Sequence, residues 1–402
     1  MLRGAVRSSA LRRAAAEVSR LPEFQEAQQH YSNLRLPAAL RQLERVQQVM
    51  RHVPSPPVRL VASGALALAL RSTGALRRES DVWVSASTLG LEPPLQLHAL
   101  SSAAMCALHR NDGPEALRVC EEAAALYEAE AEADEWAAVF GVHRALALPD
   151  EAGSGAGQLE SLLAALESRA DAPPAVGVAR LLLGDKLAAL GRADAARPLW
   201  QRNVLPAEVR PSPARGGRAC EAEGWRAQAD APAEPSHEAL VLAVVSRVRL
   251  GRLAISELAL EDAHDQLKCA LQLCETRVGG DGVLLHHVVA ELAAYYAAKP
   301  DPIVAEGLYR SAIDGLLSGK GRCAPTLVHA RFAVTAMNSY AEMLANLEWN
   351  GAPRTSEADA VRRDIGKVRN DYAEAFPDFA QEPLVVDPWL DVLLDNDWLA
   401  SE

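Results

Sequence analysis

The chain has 402 residues and a formal net charge of −12, so it lacks the basic surface that phosphate recognition requires; this argues against nucleic-acid binding as its main task. It is 49% apolar but only 5% aromatic, so its interior must be built from Ala, Leu and Val, a composition that favours helices. No apolar run approaches the ~20 residues needed to span a bilayer, and the most apolar stretch, VRLVASGALALALR at 58–71, is short and bounded by arginines.

Residues 1–21 contain five Arg, three Ser and a single acid, Glu17. An Arg-rich, Ser-containing, acid-poor start has the composition of a mitochondrial transit segment. The expected location is therefore the matrix or the matrix side of the inner membrane, with the cytoplasm as the alternative. From Phe24 to Met50 a first helical hairpin is expected. In it Ala27, Ala39 and Val46 are separated by twelve and then seven residues, Leu43 is a large filler, and Pro37 lies at the second helix's start, where its missing N–H costs nothing. VPSPP at 53–57 breaks the helix. Two further helices are expected over 58–71 and 78–90, with poor repeat spacing.

After LEPP (91–94), Ala104, Ala116 and Ala123 carry the twelve-then-seven spacing again, and Asn111–Asp112–Gly113–Pro114 forms the turn. An apolar helix is expected over 134–148, a flexible tract at EAGSGAGQ (151–158), a short helix over 159–168 and a break at ADAPP (170–174). Leu183–Gly184, Gly191 and Ala196 then mark another hairpin, with Trp200 as its large residue and a last turn ending early near Pro206, because Asn203 stands where a small residue is expected. Residues 205–236 hold Pro, Gly and mixed charge without periodicity and read as a long loop. They divide N-terminal repeats (22–204) from C-terminal repeats (237–380), which begin as a helix started by Ser236 and Glu238.

The clearest spacing follows. Gly251, Ala263 and Ala270 return 42 residues later as Ala293, Ala305 and Ala312, with Leu267 and Tyr309 as large fillers. Twelve residues between small side chains suffice to leave one helix, turn and enter the next, and small residues let the two helices approach closely. The third small residue lies on the second helix's same face. A looser unit has Tyr340–Ala341–Glu342–Met343–Leu344, a loop expanded by WNGAPRTS, and Ala358 and Ile365. Residues 381–402 form an acidic tail without Lys or Arg, where Trp389, Leu393, Leu394 and Trp398 recur at helical spacing.

This pattern resembles the tetratricopeptide repeat family, in the longer-period form of kinesin light chains. The resemblance implies an all-α, right-handed superhelical solenoid of antiparallel helix hairpins, in which single hairpins cannot bury their own faces and must stack. It also implies a concave groove for a protein partner and carries no catalytic residues. Candidate groove-lining positions, on the first helix of each pair, are Arg247, Arg252, Glu291, Tyr295, Asn338 and Glu342. Trp389 and Trp398 either cap the last repeat or dock to another subunit.

Chemistry-bearing motifs fail on inspection. In SGKGR (318–322) Gly315 precedes Gly319–Lys320 by too few residues for a phosphate loop, and Gly321 stands where Ser or Thr would bind Mg²⁺. Gly153–Ser154–Gly155 lacks the flanking strand of a nucleophile elbow. His287 and Glu291 share a helix face, but no third metal ligand is suggested by spacing. The six cysteines form no CxxC pair and read as small buried residues of a reducing compartment. No catalytic residue, cofactor, metal or small-molecule substrate is expected. The sequence points to a non-catalytic interaction scaffold, an accessory subunit or assembly factor of a mitochondrial complex (respiratory complex, ATP synthase or mitoribosome) whose partners are other protein subunits. The alternative is a soluble adaptor or co-chaperone that holds short peptides in the groove.

Overall fold

The computed structural model describes residues 9–110, 112–128, 133–148, 154–167, 175–204, 235–278, 282–317, 324–349, 352–373 and 376. Within them lie α1 (Ser9–Val18), α2 (Pro22–Ser32), α3 (Leu36–Met50), α4 (Pro56–Ser72), α5 (Leu76–Ser87), α6 (Pro93–His109) and α7 (Gly113–Tyr127). They continue as α8 (Ala133–Ala147), α9 (Ser154–Glu167), α10 (Ala175–Ala189), α11 (Ala193–Asn203), α12 (His237–Ser256) and α13 (Leu260–Leu273). The last are α14 (Val283–Ala298), α15 (Pro302–Leu316), α16 (Leu327–Asn346) and α17 (Thr355–Asp371). From α2 onward the helices pair as antiparallel hairpins, each packed on the next in chain order. The described part is thus an all-α stack of helix hairpins. The expanded WNGAPRTS loop adds one short antiparallel ladder between β1 (Glu348–Trp349) and β2 (Ala352–Pro353).

The small side chains do the work their spacing implied. Ala263, Ala270, Ala293, Ala305 and Ala312 are each completely buried, as are Ala39, Ala104, Ala116, Ala123, Ala196 and Ala358. A Cβ on Gly251 would meet Leu267 Cδ2 at 2.9 Å, and one on Gly184 would run into the Trp200 indole. In these two hairpins the small residue of the first helix therefore receives the large residue of the second. A larger side chain there would force the backbones apart in an interior packed to crystal density.

The two helices of a pair differ in burial. The first helices α4, α6, α8, α10, α12, α14 and α16 form an inner row in which most are in contact with the next, and α4 and α6 are buried on almost every side. The second helices bury one stripe and expose the rest, as in α13, where Ala263, Leu267 and Ala270 face inward. α1 packs Leu11, Ala14 and Val18 into the core around α4. Part of the leader-like segment is thus a member of the stack.

Six of the described hairpins share one turn. The N–H three residues past the first helix bonds back five residues, as in Arg35 to His30, Ala75 to Leu70, Asp112 to Ala107, Arg192 to Leu187, Ala259 to Ala254 and Asp301 to Tyr296, all at 2.8–2.9 Å. This bond caps a helix whose next residue is left-handed. Gly74 and Gly191 fill that position at φ +75°, while Leu34 and Leu258 adopt it at +55° and +61°.

The superhelix also closes on itself. α16 contacts α4, and Tyr372, just past α17, lies so close to Gly74 that a Cβ there would meet its ring at 2.7 Å. The last hairpin thus sits on the turn ends of the α4–α5 and α6–α7 hairpins.

Several expectations are corrected. Ser154–Gln158, expected within the flexible tract 151–158, is helical and opens α9. There Gly155 lies against the Ala145 carbonyl, so the absence of a side chain permits close packing rather than mobility. The helix expected to reach residue 90 ends at Ser87, and Gly90 is left-handed at φ +67°. The 58–90 region, with its poor small-residue spacing, still makes a regular hairpin with the shared turn. α11 ends at Asn203, as the early stop near Pro206 required, and the Asn203 amide donates to the Gly177 carbonyl at 2.8 Å. Residues 205–234 and 377–402 lie outside the described residues, so Trp389, Trp398 and most of the expected loop have no structural account.

Candidate functional site

The expected groove residues separate into two groups. On α12 and α14, Arg252 and Glu291 form a bidentate ion pair, with Arg252 Nε donating to Glu291 Oε2 at 2.6 Å. His287 Nδ1 stands 3.7 Å from Glu291 Oε1, and its ring packs on Phe332 of α16 at 4.6 Å between centroids. Burial pushes the Glu291 carboxyl up, but the charge and hydrogen bonds of Arg252, with His287 and Arg249 behind, outweigh it and hold the carboxyl below its ordinary value. Tyr309 of α15 completes the cluster through a hydrogen bond with Ser339, and burial pushes its phenol up. These groups tie three consecutive hairpins together.

Tyr295 is buried between His264, at 5.4 Å, and Tyr296, at 5.0 Å between ring centroids. Arg247 turns towards α13 and donates to Gln266 Oε1 at 3.0 Å. Of the six positions expected to line an open groove, Asn338 and Glu342 are exposed. The physical cause is that the inner helices pack on one another: Glu291 and Tyr295 are buried against the preceding hairpin, while Arg247 and Arg252 are half-buried in ties to Gln266 and Glu291. The helical period could not give the curvature that packs these helices on one another.

Other polar groups also serve as ties between hairpins. Arg249 grips Asp185 through two bonds of 3.1 and 3.3 Å, and Arg197 pairs with Glu257; both join α10–α11 to α12 across residues 205–234. Glu306 receives Arg354 at 2.7 Å, Arg310 at 2.5 Å and the Tyr340 hydroxyl at 3.2 Å. Its carboxyl is held below the usual range, chiefly by the Arg354 hydrogen bond. In the N-terminal half, Arg71 binds the fully buried Glu79 at 2.9 Å through Nε, and Trp83 Nε1 donates to the same oxygen at 3.3 Å.

Burial shifts three thiols and three histidines towards their neutral forms. Burial pushes the Cys120 and Cys274 thiols up to about 12 and holds Cys106 well above its ordinary value. Such thiols carry almost no thiolate near neutral pH and are poor nucleophiles. Desolvation lowers His98, His143 and His329 to about 4. Among the described residues no group of three or more His, Cys, Asp and Glu side chains is placed to hold a metal ion, and no helix is long and apolar enough to cross a membrane.

The turn ends of the hairpins form a second surface, which sequence spacing did not single out. Leu258 is 78% exposed, Ile303 69%, and Leu190 and Val304 40% each. They belong to α10–α11, α12–α13 and α14–α15, three consecutive hairpins. The available signal was the turn itself: an apolar residue where a left-handed turn ordinarily has Gly.

No protein family description and no curated protein matches the chain. Among solved structures, it is similar to the apo quorum sensor NprR from B. thuringiensis at 14% identity, over 88% of this chain and 92% of that one, with a TM-score of 0.46. It is similar to a STAND signal-transduction ATPase with a tetratricopeptide repeat sensor from Pyrococcus horikoshii at 13% identity, over 86% of this chain and 48% of that one, with a TM-score of 0.46. It is also similar to yeast Tom70 at 10% identity, over 88% and 87%, with a TM-score of 0.23.

Proposed function

We propose that this chain is a non-catalytic interaction scaffold of tetratricopeptide type, with a kinesin-light-chain-like 42-residue period over α12–α15, acting as an accessory subunit or assembly factor of a mitochondrial complex. The observation that carries the reading is the repetition of one turn end across several hairpins, covered by the last hairpin over α4–α7 and, among the described residues, exposing apolar side chains over α10–α15. A stack of this kind offers an extended surface made of equivalent positions, which suits docking of other proteins. The buried, protonated thiols and neutral histidines are consistent with a structural interior. The mitochondrial address rests on the Arg-rich, acid-poor start of the sequence.

The peptide-groove reading is less well supported. Glu291 and Tyr295, which would line such a groove, are buried in contacts between hairpins. The test is affinity purification of the tagged chain from isolated mitochondria, with cross-linking and mass spectrometry. The reading expects a reproducible, near-stoichiometric protein partner. A monomeric protein recovered alone from the cytosol would end both the scaffold and the mitochondrial assignment.

A further inference from the structure

The shared turn poses a physical question at Leu258. A left-handed backbone costs a residue with a Cβ about 1 kcal/mol or more, which is why Gly74 and Gly191 occupy the equivalent position in two other hairpins. Leu258 bears that cost at φ +61° and, being 78% exposed, contributes little to the core in return. It also has apolar company. Leu190 adjoins the left-handed Gly191 of the preceding hairpin, and Ile303 and Val304 open the outer helix of the following one. Packed helices lie about 8–10 Å apart, so these side chains form one row along the rim.

The chain shows how this rim is covered elsewhere. Over α4–α5, Tyr372 lies on the Gly74 turn. Over α6, Arg331 Nη2 donates to the carbonyl of His109 at the helix C-terminus, at 3.3 Å. An aromatic ring and a cation from a helical element thus meet the C-terminal ends of two inner helices. α10, α12 and α14 present the same ends, each beside the N-terminus of its outer helix, so the opposed helix dipoles largely cancel and the side chains decide the charge of the rim. Asp194, Glu261, Asp262 and Asp301 stand at the starts of the adjoining outer helices, against Arg192 and Lys299, while Arg197 is engaged by Glu257.

We infer that the row Leu190, Leu258, Ile303 and Val304 is a docking strip for a helical segment of a partner protein that carries Lys or Arg beside its apolar side chains. The strip continues the surface that the last hairpin already covers, and the excess of acids beside it calls for a basic occupant. This inference rests on the scaffold reading and gives it a location.

The probe is a synthetic Leu/Lys amphipathic helical peptide with a Leu/Glu twin, titrated into the full chain by fluorescence anisotropy. The Leu/Lys peptide is expected to bind and the twin to fail. Leu258→Gly, which relieves the turn and therefore keeps the fold, should weaken binding about tenfold, and Glu261→Lys with Asp262→Lys by a similar factor. Val84→Ser, at an exposed apolar side chain on α5, should leave it unchanged. Equal binding by wild type and Leu258→Gly, or no binding by wild type, overturns the strip. In that case the scaffold reading still stands if purification recovers a partner. A concentration-dependent dimer of the chain alone, lost in Leu258→Gly, would make a second copy the occupant and also overturn the proposal.

Discussion

Arg331 and His109 are separated by 222 residues, yet the Arg331 guanidinium Nη1 lies 2.9 Å from His109 Nδ1 inside the molecule. Arg331 is 1% exposed, and its second nitrogen donates to the His109 carbonyl at 3.3 Å. A fully buried cation at the C-terminal end of α6 is stabilised by the helix dipole and by these bonds. It ties the last hairpin to an early one.

Arg331→Ala should therefore destabilise the chain by about 3 kcal/mol, the order expected on losing charged hydrogen bonds in a buried site. Arg331→Lys, which keeps the charge but loses the fork, should cost less. Urea denaturation gives the energies. X-ray scattering should show a larger radius for the Ala variant, with faster amide exchange at the ends of α4 and α6. A variant as stable and compact as wild type would remove the closing role assigned to Arg331.

The Arg252–Glu291 pair should respond asymmetrically. Removing the partly exposed Arg252 leaves a buried carboxylate without its main cation, at a cost of about 3–5 kcal/mol. Glu291→Gln leaves an arginine that can turn to solvent and should cost less. The folded Glu291 carboxyl titrates below its ordinary value of 4.5, so the stability it contributes is present above about that pH and is lost as the pH falls through the folded value. Thermal midpoints measured from pH 7 to pH 3 should fall less steeply in Glu291→Gln than in wild type.

The buried histidines predict a second acid-sensitive range. His98, His143 and His329 titrate near 6.5 when unfolded and about 4 when folded. The unfolded chain therefore binds more protons between those values, and stability drops as the pH is lowered from 6.5 towards 4. His143→Phe should flatten this part of the curve, and an unchanged slope would show that burial there does not hold the ring neutral.

Gly251 and Leu267 form a testable small–large pair. Gly251→Val should cost about 1–3 kcal/mol by pushing on the Leu267 side chain. Leu267→Ala should recover part of that loss in the double variant. A double-mutant cycle that closes additively would mean the two residues do not share the contact.

The N-terminal helix makes a prediction about processing. Cleavage after residue 21 would strip Leu11, Ala14 and Val18 from the core around α4. A chain beginning at residue 22 should therefore melt below the full chain, and N-terminal sequencing of the protein from mitochondria should find α1 retained. A mature start beyond Val18 with unchanged stability would contradict the packing role of α1.

Much of the architecture was legible because its signals are local. The intervals from Gly251 to Ala263 and from Ala293 to Ala305 marked hairpins whose small residues are indeed buried. Trp200 and Leu267 were identified as the large partners, and their side chains do meet Gly184 and Gly251, respectively. The α4–α5 hairpin was less clear, because its close packing uses Leu, Ala and Ser over nearly every face of α4 rather than one small–large pair. The turn-end row was missed because Leu258 reads as an ordinary helix-flanking leucine until its φ is known.

By itself the sequence determined the helices, their pairing into hairpins and the order of stacking, since each depends on contacts between residues close along the chain. Only the tertiary structure decided that Arg331 would reach His109, that Glu291 and Tyr295 would be buried, and which turn ends would stay open. The reason is cumulative: superhelix pitch is the sum of small rotations between successive hairpins, and no single spacing in the sequence records that sum.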